Sequence, residues 1–442
     1  MYLVVKTHER DRKQRMEQQK ILEKVLEKAN LNNAYKQVMR NKGAAGVDRM
    51  ECSELLSYLK ENGTQIRESI RNQSYQPMPV RRVEIPKEDG SKRKLGVPTV
   101  IDRLIQQATT QVLSPIYEKV FHSNSYGFRK GKSAHDAIRK ALEYMNMGYN
   151  WVVDIDLEKF FDMVNHDKLI SILNKEIKDG RILSLIRKFL VSGVMIGETT
   201  EETIIGTPQG GNLSPLLANV MLNELDWELE KRGLRFVRYA DDCIILVRSR
   251  KAAERVMTSI TKYIEDKLLL KVNRNKSKIG RPTDIKYLGF GFYCLFKEKK
   301  YKVKAHIKAV EKVVEKLKKL TRRSWGVSNE YKVKKIAEVL RGWINYYKIA
   351  TLLTVSKRLD TMIRYRFRMC IWKHWKTPHN RYKNLVKLGV SEKNAASASC
   401  AHGYARICRT ETICFAMSNK RLEKFGLLSA ETYFCNVKCQ VS

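Results

Sequence analysis

Nowhere do this chain's 442 residues run to 18 consecutive apolar positions, so no helix can span a membrane by the usual criterion. The opening Met1-Tyr2-Leu3-Val4-Val5 has no positive region before it and is too short to act as a secretory leader. Cysteines are few, nine in all, and odd in number, which excludes the disulfide framework of a small secreted domain. A reducing cytoplasm is the expected setting. Cys435 and Cys439 have three residues between them and no second close pair, so they read as free thiols rather than zinc ligands. Acidic residues are scarce: 47 Asp and Glu stand against 85 Lys and Arg, a net charge of +38. Such a charge repels cations and concentrates polyanions, nucleic acid before an anionic membrane. Low-complexity tracts and internal repeats are also missing, and the hydrophobic fraction of 43% is ordinary. The chain is long enough for two or three domains with real cores.

Periodicity organises what is present. Ile21, Leu22, Val25 and Leu26 fall at helical spacing within a charged stretch, predicting an amphipathic helix over 7–28. The Gly-rich basic loop Asn41 to Gly46 reads equally as a phosphate contact or a plain turn. Over 80–97, Val83 and Ile85 alternate with charge, a turn follows at 86–90, and Lys94-Leu95-Gly96-Val97 resumes. That is a β-hairpin, and 99–120 then reads as a helix. Trp151 to Leu157 is a short strand on which Asp154 and Asp156 share a face. Phe236-Val237 and Cys243 to Val247 flank Tyr239-Ala240-Asp241-Asp242, a second hairpin with carboxylates at its tip. From about residue 300 the chain becomes helical and basic. Ile307, Val310, Val314 and Leu317 mark one face, and Lys308, Lys312, Lys316 and Lys319 another. Residues 301–442 carry 31 Lys and Arg against 9 Asp and Glu.

Clustered carboxylates repel each other unless a cation neutralises them. One aspartate on a strand and two on a hairpin tip suit a pair of Mg²⁺ ions, which take hard oxygen ligands and leave positions for phosphate and water. Two such ions serve in-line phosphoryl transfer. A solvated Asp-Asp turn is the plain alternative for Asp241-Asp242 taken alone. The neighbours add weight. Leu157-Glu158-Lys159-Phe160-Phe161-Asp162 follows Asp156, and Gly206-Thr207-Pro208-Gln209-Gly210-Gly211-Asn212-Leu213-Ser214-Pro215 is a Gly-rich turn before an apolar stretch.

A fingers hairpin, an Asp strand with Phe-Phe, Pro-Gln-Gly and Tyr-Ala-Asp-Asp, in that order, resemble reverse transcriptases. More narrowly, the chain is similar to the reverse transcriptase and maturase proteins of bacterial group II introns. Arg82 to Lys87, Leu95 to Thr99, Ser125 to Arg129, Lys286 to Phe290 and Arg341 to Tyr347 carry that narrower match. The resemblance implies an α+β right-hand polymerase fold: fingers and palm with antiparallel sheet, plus an α-helical thumb. It implies Asp156, Asp241 and Asp242 as catalytic metal ligands, with Asp242 peripheral and Asp154 ranked second to Asp156. Mg²⁺ would be the cofactor and Mn²⁺ its substitute. Phe161, five residues after Asp156, corresponds to the sugar gate; Phe160 beside it reads as core. Lys87 and Arg93 correspond to triphosphate contacts, with Lys92 and Lys94 as neighbouring choices to Arg93. Gln209 lines the nucleotide pocket, and Arg82 contacts template or triphosphate.

The implied domains are an N-terminal helical extension (1–60), fingers and palm (61–296), a thumb or maturase domain (297–385) and a short DNA-binding segment (386–442). Partners would be intron RNA, an RNA template, a DNA target or primer, and dNTPs, with no membrane. Trp343, Tyr346 and Tyr347 share a helix face and read as core before base-stacking. Arg364, Arg366 and Arg368, then Lys373, Trp375 and Lys376, are stronger candidates for RNA contact. Paired zinc-binding cysteines of an endonuclease domain are missing, which resembles the compact group IIC lineage. The competing reading is a reverse transcriptase of a retron, defence or diversity-generating system without a splicing role.

Overall fold

Both hairpins, and the helices expected over 99–120 and from residue 307, appear where the pattern places them. The computed structural model describes residues 20–86, 90, 92–196, 199–201, 206, 210–295 and 297–439. Most of the helix expected over 7–28 lies outside the described residues. Within them, helix Ile21–Leu26 buries all four of its apolar positions, and the chain breaks at Glu27 before helix Lys28–Asn41.

The molecule divides into two compact units, Met1–Arg281 and Pro282–Ser442. In the first, strands β1 (Val80–Pro86), β2 (Lys92–Val97), β4 (Val194–Ile196) and β5 (Thr199–Glu201) form one sheet in the order β2-β1-β4-β5. β1 and β2 are the expected hairpin, and β1 runs parallel to β4. Helix Val100–Tyr117 follows β2 and is capped by Thr99, whose Oγ1 accepts from the Asp102 amide.

The second sheet holds β3 (Trp151–Ile155), β6 (Arg235–Tyr239), β7 (Asp242–Val247) and β8 (Lys278–Gly280) in the order β6-β7-β3-β8, antiparallel throughout. Strand alternation sorts its side chains. Val153, Ile155, Phe236, Cys243, Ile245 and Val247 join the main core with residues of helices Ser214–Lys231 and Arg250–Lys267. Each fully buried Leu or Ile of that core contributes on the order of 1.5–3 kcal/mol. Asp154 faces the other way, level with Ile244 on β7 and Lys278 on β8.

The second unit begins with a three-stranded antiparallel sheet, β11-β10-β9, of β9 (Lys286–Tyr287), β10 (Phe290–Leu295) and β11 (Lys300–Ala305). The β10–β11 hairpin lies whole within this unit, so the units part ahead of the 296/297 boundary taken from composition. Helices Ile307–Leu320, Asn329–Tyr347 and Leu353–His374 follow, then six shorter ones to Cys439. Helix Ile307–Leu320 buries Val310, Val313 and Leu317, whereas Ile307, expected on that face, is exposed. The last helix, Ala430–Cys439, is tied to Leu353–His374 by buried Asp360. Its carboxylate accepts from the amides of Ala430 and Glu431 at 2.7 and 3.1 Å and from Ser429 Oγ at 2.8 Å. The end of segment 386–439 is thus bonded to the long helix.

Candidate active site

β3 carries Asp156 to the mouth of the β6–β7 hairpin. In the β3–β7 register Asp154 faces Ile244 and Ile155 faces Cys243, so the next position brings Asp156 level with Asp242. On the other side β6 pairs Tyr239 with Asp242, leaving Ala240 and Asp241 as a two-residue turn. Asp156, Asp241 and Asp242 therefore meet at one end of one sheet. Asp241 and Asp242 are exposed and Asp156 is half-buried.

Each strand end is fixed from outside the sheet. The Asp156 amide donates to Ser277 Oγ at 3.0 Å, and its carbonyl accepts from the Asn273 amide at 2.8 Å. The turn is held more elaborately. Ala240 sits at φ 57°, in the left-handed region that residues with a Cβ avoid. Arg238, wholly buried, reaches under it and donates from Nη1 to the Ala240 carbonyl at 2.9 Å. The same guanidinium binds both carboxylate oxygens of buried Asp226, at 2.7 and 2.5 Å, as well as Asn219 Oδ1 and Ser125 Oγ. Gly127 packs on the turn from above: a Cβ there would lie 2.2 Å from the Ala240 nitrogen. Only glycine fits. Its carbonyl accepts from Asn219 Nδ2 at 2.8 Å.

Asp154 lies two residue pairs further down the sheet, partly buried. Burial pushes its carboxyl up to about 6; Lys278 opposes that rise and Asp156 adds to it. A partly buried carboxyl offers its oxygens to a hydrated cation less openly than the two exposed aspartates at the tip.

Phe161 follows on helix Phe160–Met163. Phe160 is buried, and Phe161 is half-buried with its ring 5.2 Å from that of Phe160. Phe161 lines a cleft of about 440 Å³ with Leu95, Gly210, Gly211, Asn212 and Pro215. Gly210, at φ 121°, backs onto the fingers hairpin, where a Cβ would meet the Gly96 carbonyl oxygen at 2.6 Å. Gly206 accepts a 2.6 Å contact on its carbonyl from His166 Nε2. Arg82 sits mid-strand on β1 opposite Gly96, half-buried, with Nε unpartnered. Arg93 pairs through its backbone with Ile85. Lys87, Gln209 and the Arg93 side chain lie outside the described residues.

Among the described residues no three His, Cys, Asp or Glu side chains are gathered into a metal cage. The donor set still fits Mg²⁺. The tip offers only carboxylate oxygens, open to solvent on the outer side, and Mg²⁺ commonly takes one or two protein carboxylates with the rest from phosphate and water.

In the second unit, Tyr347 is buried, and Tyr346 rests on Phe290 while donating from its hydroxyl to the Leu288 carbonyl at 2.9 Å. Of the three aromatics on that face, Tyr347 is core, Trp343 is half-buried and Tyr346 stays exposed. The three arginines expected to meet RNA are largely committed within the protein. Arg364 pairs with Glu423 at 3.0 Å, and Arg366 donates to Thr321 Oγ1 and the Lys318 carbonyl. Arg368 is buried and donates to the Met417 carbonyl and Asn419 Oδ1. Sequence reading missed these partners because they are supplied 45–59 residues away. These arginines line a cleft of the second unit whose rim also carries the exposed Arg358 and Lys318.

A strand-borne aspartate beside a two-aspartate hairpin tip, with an aromatic-walled cleft next to it, defines a polymerase palm of the reverse-transcriptase class. The family model "Reverse transcriptase (RNA-dependent DNA polymerase)" matches residues 85–292, and "Group II intron, maturase-specific domain" matches 310–389. Protein YkfC of Escherichia coli is 32% identical over 306 residues, 60% of this chain and 80% of YkfC. The group II intron-encoded protein LtrA of Lactococcus lactis is 39% identical over 212 residues, 48% of this chain and 35% of LtrA. An uncharacterised 91 kDa protein in the cob intron of Schizosaccharomyces pombe is 39% identical over 169 residues, 38% of this chain and 21% of that protein. The chain thus spans most of YkfC but only about a third of LtrA. This chain belongs to the group II intron-encoded reverse transcriptase and maturase family.

Proposed function

We propose that this chain copies RNA into DNA and binds the group II intron RNA that encodes it, assisting splicing and mobility. The observation that carries the reading is the strand register that brings Asp156 level with the Asp241-Asp242 tip, in a chain that also has a maturase domain. Asp156 and Asp241 hold the cations, and Asp242 supports them from the edge. Mg²⁺, or Mn²⁺ in its place, supplies the positive charge that an in-line phosphoryl transfer needs. Arg238 and Gly127 keep the tip in its strained turn, so the carboxylates are oriented before substrate arrives. Phe161 packs against the sugar of the incoming dNTP and leaves no room for a 2′-hydroxyl. Arg82, Lys87 and Arg93 on the fingers hairpin neutralise the triphosphate, and Gln209 borders the nucleotide. The exposed lysines of helix Ile307–Leu320 follow an RNA backbone, and residues 386–442 contact the DNA target. No described helix is long and apolar enough to cross a membrane. We place the work in the cytoplasm and at the nucleoid, where transcripts and target DNA lie.

Splicing of the flanking intron RNA, with and without the purified chain at low Mg²⁺, tests the maturase half. Faster splicing and saturable binding are expected. RNA-templated synthesis with no effect on splicing would instead assign the chain to a retron, defence or diversity-generating system.

A further inference from the structure

One aromatic in the first unit is held where neither burial nor backbone preference would put it. Phe128 is 56% exposed, and its φ of 57° lies in the left-handed region that bulky residues rarely enter. Both neighbours account for the backbone. Gly127 is wedged against the Ala240 turn and bonded to Asn219. Arg129 grips Glu118 through Nε and Nη2, the nearest contact being 2.8 Å, and donates from Nη1 to the carbonyls of His122 and Ser125 at 2.6 and 2.8 Å. With both sides pinned, the conformation is imposed on Phe128 and its ring is turned outward. The ring enters the same cleft as Phe161, Leu95, Gly210 and Pro215. It therefore shares a cleft with the candidate sugar gate and follows directly on Gly127, which touches the carboxylate-bearing turn.

We propose that Phe128 is a nucleoside platform, its ring packing on the base or deoxyribose of the nucleotide seated at the carboxylate tip. This rests on the polymerase reading of the cleft. An apolar ring suits a site that must accept all four bases, because every base has a π face and stacking tolerates sequence. A side chain serving only the fold would be turned inward, whereas this ring is exposed within the cleft. The incoming nucleotide and the primed template share the nucleoside chemistry, and they are separated by experiment.

The test uses the full chain with a DNA primer annealed to an RNA template. For wild type, Phe128→Gly and Phe128→Tyr it measures KM for the dNTP, Kd for the primed template, and Tm. Phe128→Gly should hold or raise Tm, because glycine accepts the left-handed backbone, while KM or Kd rises roughly 10-fold. Phe128→Tyr, which keeps the ring, should stay near wild type in both. A rise in KM alone seats the ring on the incoming nucleotide; a rise in Kd seats it on the primer–template. Unchanged KM and Kd in Phe128→Gly, or a lowered Tm that reveals a packing role, would overturn the proposal. Wild type that makes no cDNA would remove the polymerase reading as well, whereas active wild type beside an unaffected variant removes only the role of Phe128.

Discussion

At the scale of single residues, the account turns on what Phe161 does beside Asp156. Its neighbour Phe160 is sunk in the core, which fixes the short helix and leaves Phe161 half-exposed over the cleft. Removing the ring opens space where a 2′-hydroxyl would go without disturbing the buried anchor. Phe161→Ala is expected to incorporate ribonucleotides, measured as the ratio of kcat/KM for dNTP and rNTP on one primed template. A ratio equal to that of wild type would remove the gate role. The meeting of Asp156 with Asp241 and Asp242 was legible in the sequence because strand and hairpin spacing are local, whereas Phe161 was picked out by the family resemblance. Arg238 was not read, though a signal was present: it alternates with Phe236 onto the apolar face of β6. An arginine in that phase must find a buried acceptor, and Asp226, twelve residues back on a helix, is invisible as such until the fold forms.

At the scale of elements, the hairpin β6–β7 is a two-stranded unit whose tip would not keep its shape alone. Arg238 joins the hairpin to helix Ser214–Lys231 and to Ser125, and it bonds the Ala240 carbonyl from below. Losing one member of a buried ion pair leaves an uncompensated charge, which costs about 3–5 kcal/mol. Arg238→Met should therefore lower the stability of the first unit by about that much, read by chemical denaturation. The double variant Arg238→Met with Asp226→Leu should recover most of the stability but not cDNA synthesis, since the carbonyl contact stays lost. A double variant with full synthesis would show that the arginine serves only the fold. Periodicity identified both hairpins and the helices Val100–Tyr117 and Ile307–Leu320, but not Arg250–Lys267 or the long Leu353–His374. It could not divide the units at Arg281, because the β10–β11 hairpin is part of the basic second unit while its first strand still reads like palm.

At the scale of the whole molecule, the net charge of +38 sets the kind of partner and leaves open which face meets it. The fold narrows the choice. Arg364, Arg366 and Arg368 bond to Glu423 and to hydroxyl, carbonyl and amide oxygens, and Lys308, Lys312 and Lys316 lie on the exposed face of helix Ile307–Leu320. Replacing those three lysines with glutamine should weaken RNA binding and lower the slope of log Kd against log salt by roughly 2. An unchanged slope would move the RNA to another surface. The charge total was legible from composition, but its partition between solvent-facing and internally paired cations required the tertiary partners.

All three scales meet at the carboxylate tip, and the most direct measurement is Mg²⁺-dependent cDNA synthesis on a primed RNA by wild type and Asp241→Ala at matched RNA occupancy. The account predicts synthesis by wild type, its loss in the variant by a factor of 10³ or more, on the order of the ~4 kcal/mol that such electrostatic groups contribute, and RNA binding left nearly intact. Full synthesis by Asp241→Ala would contradict it.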